Sequence, residues 1–250
     1  MKLKNKTAIV TGGSRDIGKA ISLKLAAEGA NVVVNYFSNA AQGAETVAEI
    51  EAAGGKAIAV AGDMTKAADV ANLVAETRKA FGDSIDVLVN NVGGMVARKS
   101  MDEMDEDFFD QVMKLNLNST FLATKAVRPH MVSGSAIVNV ASLAGRDGGG
   151  PGAAAYSTAK GAVMTFTRAM AKEFGPANIR VNAVCPGMIA TKFHDDFTKD
   201  AVRENVAAGT PLRRQGEAPE VADLVAFLAS SDSSFMNGAN VDINGGLAFS

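Results

Sequence analysis

Tryptophan is absent from this 250-residue chain, cysteine occurs once, and histidine and tyrosine occur twice each. A single cysteine, Cys185, excludes an internal disulfide and fits a reducing, cytoplasmic setting. Its place in RVNAVCPGM reads as a buried structural thiol rather than a nucleophile. The two histidines, His130 and His194, are too few and too isolated for a metal centre, so no metal is expected. The acidic run MDEMDED at Met101–Asp107 reads as the solvated start of a helix, where negative charge suits the dipole. A net charge of −2 without any basic block leaves no expectation of nucleic acid as a partner. No early apolar run approaches the ~20 residues that span a membrane. MKLKNK leads straight into a strand-like run, so neither a signal peptide nor a membrane segment is expected.

Apolar residues make up 47% of the chain, enough for a substantial core in one α/β domain spanning residues 1–250. Strand-like runs recur at Thr7–Thr11, Asn31–Asn35, Ala57–Ala61, Asp86–Val89, Ala136–Val140, Arg180–Val184 and Asn240–Ile243. Helical periodicity fills the intervals: Ile17–Ala27, Ala40–Ala53, Lys66–Phe81, Asp105–His130, Ala154–Phe174 and Pro219–Ala229. Regular alternation of the two predicts a doubly wound, seven-stranded parallel sheet with helices on both faces. Two stretches read as mobile loops, Gly145–Ala155 and a lid at about 187–210.

The first strand-like run ends in TGGSRDIG and passes directly into a helical pattern. Strand, glycine turn and helix in that order make the first unit of a dinucleotide-binding fold. Gly12 and Gly18 permit a tight turn and close approach of a pyrophosphate. A helix beginning near Ile17 offers free N–H groups and the positive end of its dipole. Far along the chain, Tyr156 and Lys160 stand four apart in AAAYSTAKGAV, so on a helix they share one face. Ser142 lies upstream in VNVASLAG. A phenol titrates near pH ~10, and lowering it by about three units takes ~4 kcal/mol. A desolvated lysine beside it, together with a cationic cofactor ring, is expected to supply that.

These motifs together resemble the short-chain dehydrogenase/reductase family, from Lys4 to Gly246. Thr11, Gly12 and Gly18 match its TGxxxGxG pattern, with Asp16 standing at the middle glycine. Asp tolerates a left-handed backbone, so the turn can form, and Arg15 and Lys19 flank its charge. Asn90, Asn91, Val92 and Gly93 resemble the NNAG motif, and Pro186 and Gly187 the step after the sixth strand. The resemblance implies a dinucleotide-binding (Rossmann) fold and a catalytic set of Asn116, Ser142, Tyr156 and Lys160. In it, Tyr156 donates a proton to the substrate oxygen, and Ser142 polarises the carbonyl. Lys160 lowers the phenol's pKa and holds the nicotinamide ribose, while Asn116 anchors a water. The nucleotide is then held by Gly12, Ser14, Arg15, Asp16, Ile17 and Gly18 in the turn. Asn35, Tyr36 and Ser38 follow at the second strand, Asp63 and Met64 at the third, and Asn90 and Gly93 at the fourth. Tyr156, Lys160, Pro186, Gly187, Ile189 and Thr191 complete the set.

The second strand ends in Asn35 and Tyr36 with no acid to hold a ribose diol, while Arg15 can reach a 2′-phosphate and Ser38 or Asn39 can donate to it. NADP(H) is therefore expected over NAD(H). Three functions compete. The expected one is interconversion of carbonyl and alcohol on a polar sugar-derived keto or aldehyde acid. MIATKFHDDFTK is polar for a lid, and the substrate residues would be Arg98, Ser142, Lys192 and His194. The lid resembles that of reductases acting on the alginate-derived 4-deoxy-5-hexoseulose uronate. The alternative is a 3-oxoacyl-[acyl-carrier-protein] reductase, with Arg128 and Lys172 as docking cations. The third is a cofactor-sensing binding protein, which has no need of proton-transfer groups. The resemblance also implies a homotetramer or homodimer built on the helices Asp105–His130 and Ala154–Phe174.

Overall fold

Short runs of Val, Ile and Ala pack into one parallel sheet in the computed structural model, which describes residues 1–249. The strands are β1 (Thr7–Val10), β2 (Asn31–Tyr36), β3 (Lys56–Ala61), β4 (Val87–Asn90), β5 (Ala136–Val140), β6 (Arg180–Pro186) and β7 (Asn240–Ile243). Their order is β3-β2-β1-β4-β5-β6-β7. Thr7 pairs with Asn31 on one side of β1, and Ala8 with Val87 on the other. Every residue of β1, β4, β5 and β6 is buried, whereas β3 buries only Ala57 and Val60 and β7 is half-buried. That is the expected result of covering both faces in the middle and leaving edges to solvent.

The helices are α1 (Asp16–Ala27), α2 (Ala40–Ala52), α3 (Ala67–Phe81), α4 (Glu106–Met113), α5 (Ser119–Val127), α6 (Ala144–Asp147), α7 (Ala154–Phe174), α8 (Lys192–Phe197), α9 (Asp200–Gly209) and α10 (Ala218–Ala229). On one face, Ile21 and Leu25 of α1 and Val221, Val225 and Leu228 of α10 pack on Val10, Val32 and Val138. On the other, Leu73 of α3, Val127 of α5 and Phe174 of α7 pack on Ile9, Leu88 and Ile137. The doubly wound seven-stranded sheet expected from the alternation is therefore present. Arg180 sits buried at the start of β6, and its guanidinium donates to the carbonyls of Leu228 and Ser230 at the end of α10. It thereby satisfies groups that a helix terminus leaves open.

Two elements depart from the periodicity. The expected helix Asp105–His130 is interrupted by a π-helical turn at Lys114–Asn118 and ends in a 3-10 turn at Arg128–His130. The stretch about 187–210 carries two helices, α8 and α9, where the sequence suggested a loop. Among the described residues, no helix is long and apolar enough to cross a membrane. Among the same residues, no three His, Cys, Asp or Glu are grouped to hold a metal ion.

Candidate active site at the carboxyl edge of the sheet

Strand order reverses between β1 and β4, and a cleft of about 820 Å³ opens there, beyond the carboxyl ends of the strands. This is where open α/β sheets bind ligands. One end of the cleft is the turn after β1. Gly12 adopts φ +61°, and its N–H donates to Asn35 Oδ1 at 3.0 Å. Asn91 Nδ2 donates to the carbonyls of Thr11 and Gly12, and Thr11 Oγ1 accepts from the N–H of Asn91. A Cβ on Gly18 would collide with the Gly12 carbonyl and stand 2.7 Å from Asn91 Nδ2. Asp16 adopts φ +51°, the left-handed conformation that this position requires. No side chain caps the start of α1, so the N–H groups of its first turn are left for another acceptor. Lys19, expected to offset the Asp16 charge, instead pairs with Glu45 and Glu49. Arg15 does stand near it, with Nε 3.8 Å from the carboxylate.

At the other end of the cleft lie Ser142, Tyr156 and Lys160. Tyr156 and Lys160 occupy the first turns of α7, and Ser142 follows β5. Lys160 is buried, and its Nζ donates to the Val140 carbonyl at 2.7 Å. Its Nζ stands 5.8 Å from the centre of the Tyr156 ring. Burial lowers the Lys160 ammonium to about 8. Burial also raises the Tyr156 phenol above its ordinary value, and the Ser142 hydroxyl pulls it partly back. The ammonium is hydrogen-bonded to strand backbone, and burial favours the neutral phenol. Asn116 is fully buried on the π turn, where Nδ2 donates to the carbonyls of Val112 and Gly94 while Oδ1 accepts from the Gly94 N–H. A Cβ on Gly93 would lie 2.6 Å from Asn116 Oδ1 and 2.8 Å from Lys160 Nζ, so the two side chains converge on that glycine.

Gly12, Ser14, Arg15, Asp16, Ile17 and Gly18 line the cleft, as do Tyr36, Ser38, Gly93, Pro186, Gly187, Ile189 and Thr191. Asn35 does not. Its carboxamide is buried, accepting from Gly12 and donating to the carbonyls of Tyr36, Val60 and Gly62. It shapes the turn and has no donor left for a ribose. Asn90 is turned into the core, where Nδ2 bridges Thr124 and Asn139, and its neighbour Asn91 lines the cleft instead. Successive strand residues face opposite ways, so only one of the pair can reach the site. Asp63 and Met64 lie beyond β3, outside the lining: Asp63 holds Thr65, and Met64 belongs to the core. Asn39 caps α2 by accepting from the Gln42 N–H. Phe37, exposed on the rim, and Phe193 line the cleft without having been singled out in the sequence.

The segment α8 crosses the cleft above Tyr156. The ring of Phe193 lies 5.8 Å from that of Tyr156, with Phe197 and His194 packed around it. Of the expected substrate cations, Lys192 pairs with Asp196, and Arg98 donates to the carbonyls of Phe197 and Pro151. His194 shares a hydrogen with Thr198 Oγ1. Burial, reinforced by Arg203 and Arg98, lowers its pKa to about 4, so it is neutral near pH 7. The face turned to Tyr156 is therefore aromatic, and the lid's charges are engaged elsewhere. An unfolded histidine titrates near ~6.5. The unfolded state thus binds more protons between that pH and about 4, and stability falls on acidification across the window. Thermal midpoints from pH 7.5 to 4.5 should fall less steeply in His194→Gln than in the wild type.

Arg128 and Lys172 do not flank the cleft. Lys172 is sixteen residues beyond Tyr156 on α7, ~24 Å along the helix axis. Arg128 stacks on Phe174 at the same far end.

The chain matches, over residues 12–248, the family model described as enoyl-(acyl carrier protein) reductase. It is 41% identical over 246 residues to a 3-oxoacyl-[acyl-carrier-protein] reductase of Synechocystis, covering 97% of this chain and 96% of that one. It is 39% identical over 249 residues to an uncharacterized oxidoreductase of Methylorubrum extorquens, covering 98% and 99%. A short-chain dehydrogenase from Burkholderia cenocepacia, solved in complex with NADP, superposes with a TM-score of 0.93 at 34% identity over 99% of both chains. The chain is a short-chain dehydrogenase/reductase. Family membership makes it an oxidoreductase acting between carbonyl and alcohol, and leaves the substrate of this particular short-chain dehydrogenase/reductase to be argued from its own cleft.

Proposed function

We propose that the chain reduces a ketone carried on an acyl group, with 3-oxoacyl thioesters as the substrate class and NADPH as the reductant. The observation that carries this is one cleft holding the Gly12–Gly18 turn at one end and Ser142, Tyr156 and Lys160 at the other, under an aromatic lid. The residues suit a dinucleotide: the turn leaves no room for a Cβ at Gly18, and the first turn of α1 carries uncapped N–H groups. Arg15, Tyr36 and Ser38 line the cleft, and β2 ends without an acid to hold a ribose diol, which favours NADPH over NADH.

The nucleotide would supply the hydride. The protein's part is the proton. Tyr156 is pushed towards its neutral form, so near pH 7 it holds a hydrogen ready for the developing alkoxide. Ser142 is placed beside it to hydrogen-bond the same oxygen. Lys160 remains an ammonium below about 8, supporting charge at the site. Asn116 fixes Gly94 and the π turn, keeping the backbone close to Lys160.

Aromatic packing over Tyr156 favours an acyl chain over a sugar acid, because Arg98 and Lys192 already have partners. The exposed Phe109 and Phe121 on α4 and α5 agree with self-association through those helices. The test is a panel assayed with both reduced nucleotides. It holds an acetoacetyl thioester, a crotonyl thioester and the keto-uronate. The acetoacetyl thioester with NADPH should give the highest kcat/KM. Faster turnover of the keto-uronate would restore the sugar-acid assignment. Turnover of the crotonyl thioester alone would move the reaction to a carbon–carbon double bond.

A further inference from the structure

We infer that Asp16 and Arg98 are positioning residues that clasp α8 at its two ends and so seat Phe193 over Tyr156. Asp16 Oδ1 accepts from the backbone N–H of Lys192, the first residue of α8, at 3.1 Å and across 176 positions of sequence. Arg98 Nε donates to the carbonyl of Phe197, the last residue of α8, at 2.9 Å. Its Nη1 donates to the Pro151 carbonyl, also at 2.9 Å, in the loop leading into α7. Both bonds use groups that a one-and-a-half-turn helix cannot satisfy internally: an N–H at its start and a carbonyl at its end. Neither partner belongs to the lid. One opens α1 after β1 and the other follows β4, so two separate segments of the chain hold the two ends of α8. Between the two anchored ends lies Phe193, 5.8 Å from Tyr156.

The choice of residue at position 16 carries weight here. The backbone is left-handed at φ +51°, where glycine is unstrained and aspartate is merely tolerated. A carboxylate there also stands in the turn assigned above to a pyrophosphate, where like charge weakens binding. Aspartate is unfavourable on both counts, and its evident gain is the bond to the lid. The residue therefore exchanges some nucleotide affinity for order in α8, and substrate capture depends on both. This inference rests on the carbonyl-reducing function only for its kinetic consequence.

Two measurements separate the issues. Amide hydrogen exchange of residues 191–198 in the protein alone reads the clasp without turnover. Asp16→Gly relieves backbone strain and will fold; it should speed exchange at Lys192 about tenfold or more. Asp16→Asn keeps an oxygen acceptor and should stay near the wild-type rate, while Arg98→Ala should speed exchange towards Thr198. In turnover, Asp16→Gly should raise KM for the carbonyl substrate about tenfold while kcat changes less than about threefold. Its nucleotide Kd should be equal to or lower than wild type. Wild-type exchange in Asp16→Gly would overturn the clasp, as would exchange in Asp16→Asn as fast as in Asp16→Gly. If no carbonyl compound is turned over by the wild type, the proposed function fails while the exchange result still judges the clasp.

Discussion

Tyr156→Phe should lower turnover by about 10²–10⁴-fold and leave nucleotide affinity close to wild type. Only the hydroxyl is removed. The ring that packs against Phe193 remains, and so does the α7 face that buries Lys160. Ser142 cannot take over, because a serine hydroxyl that gives up its proton must recover it from an acid, and His194 is neutral near pH 7 and turned to Thr198. The effect should appear in kcat and kcat/KM together, the mark of an interaction made in the transition state. A single-turnover absorbance assay with a nucleotide titration alongside checks both halves. Wild-type turnover in this variant would remove Tyr156 from the reaction.

Gly18→Ala should destabilise the fold by ~1–3 kcal/mol and weaken nucleotide binding more than any other single methyl group in the turn. An added Cβ meets the Gly12 carbonyl and Asn91 Nδ2, both held by the strand ends, so the turn must open rather than bend aside a flexible side chain. Opening it breaks the hydrogen bonds from Asn91 to Thr11 and Gly12 and moves the uncapped start of α1. Thermal denaturation and a nucleotide titration on the same variant read the two losses. A melting temperature equal to wild type would show that the turn is looser than its geometry indicates.

The alternation of strand-like and helical runs was enough for the sheet, because each buried parallel strand is mostly apolar and each covering helix apolar on one side. Tyr156, Lys160 and Ser142 were equally legible, since helical spacing alone puts the first two on one face. What sequence could not show is where hydrogen bonds end. Asn35 and Asn90 look like ligands in a string of letters, and the amide nitrogens of both are taken by backbone or core partners. The alternation of a strand was the available signal for preferring Asn91 to Asn90, since Gly93 already placed the following backbone at the cleft. The π turn at Lys114–Asn118 escapes the periodicity because the helical stretches flanking it, of 8 and 9 residues, are too short to reveal the shift of about 100° that one extra residue brings. In the lid, charged letters suggested a polar cover. Lys192 and Arg98 spend their charges on Asp196 and on carbonyls, leaving Phe193 to face the tyrosine. Proximity in sequence likewise says nothing of whether a lysine's proton points at the ring or at Val140.

The 21-residue α7 holds Tyr156 and Lys160 at one end and is anchored along its length by Val163, Met164, Thr167, Ala171 and Phe174 in the core. α8, by contrast, has no buried residue of its own. Hydrogen-transfer groups and substrate cover are therefore mechanically separate parts. Mutations in the cover can accumulate at little cost to folding, so descendants of such a chain can change what they recognise long before they change what they do to it.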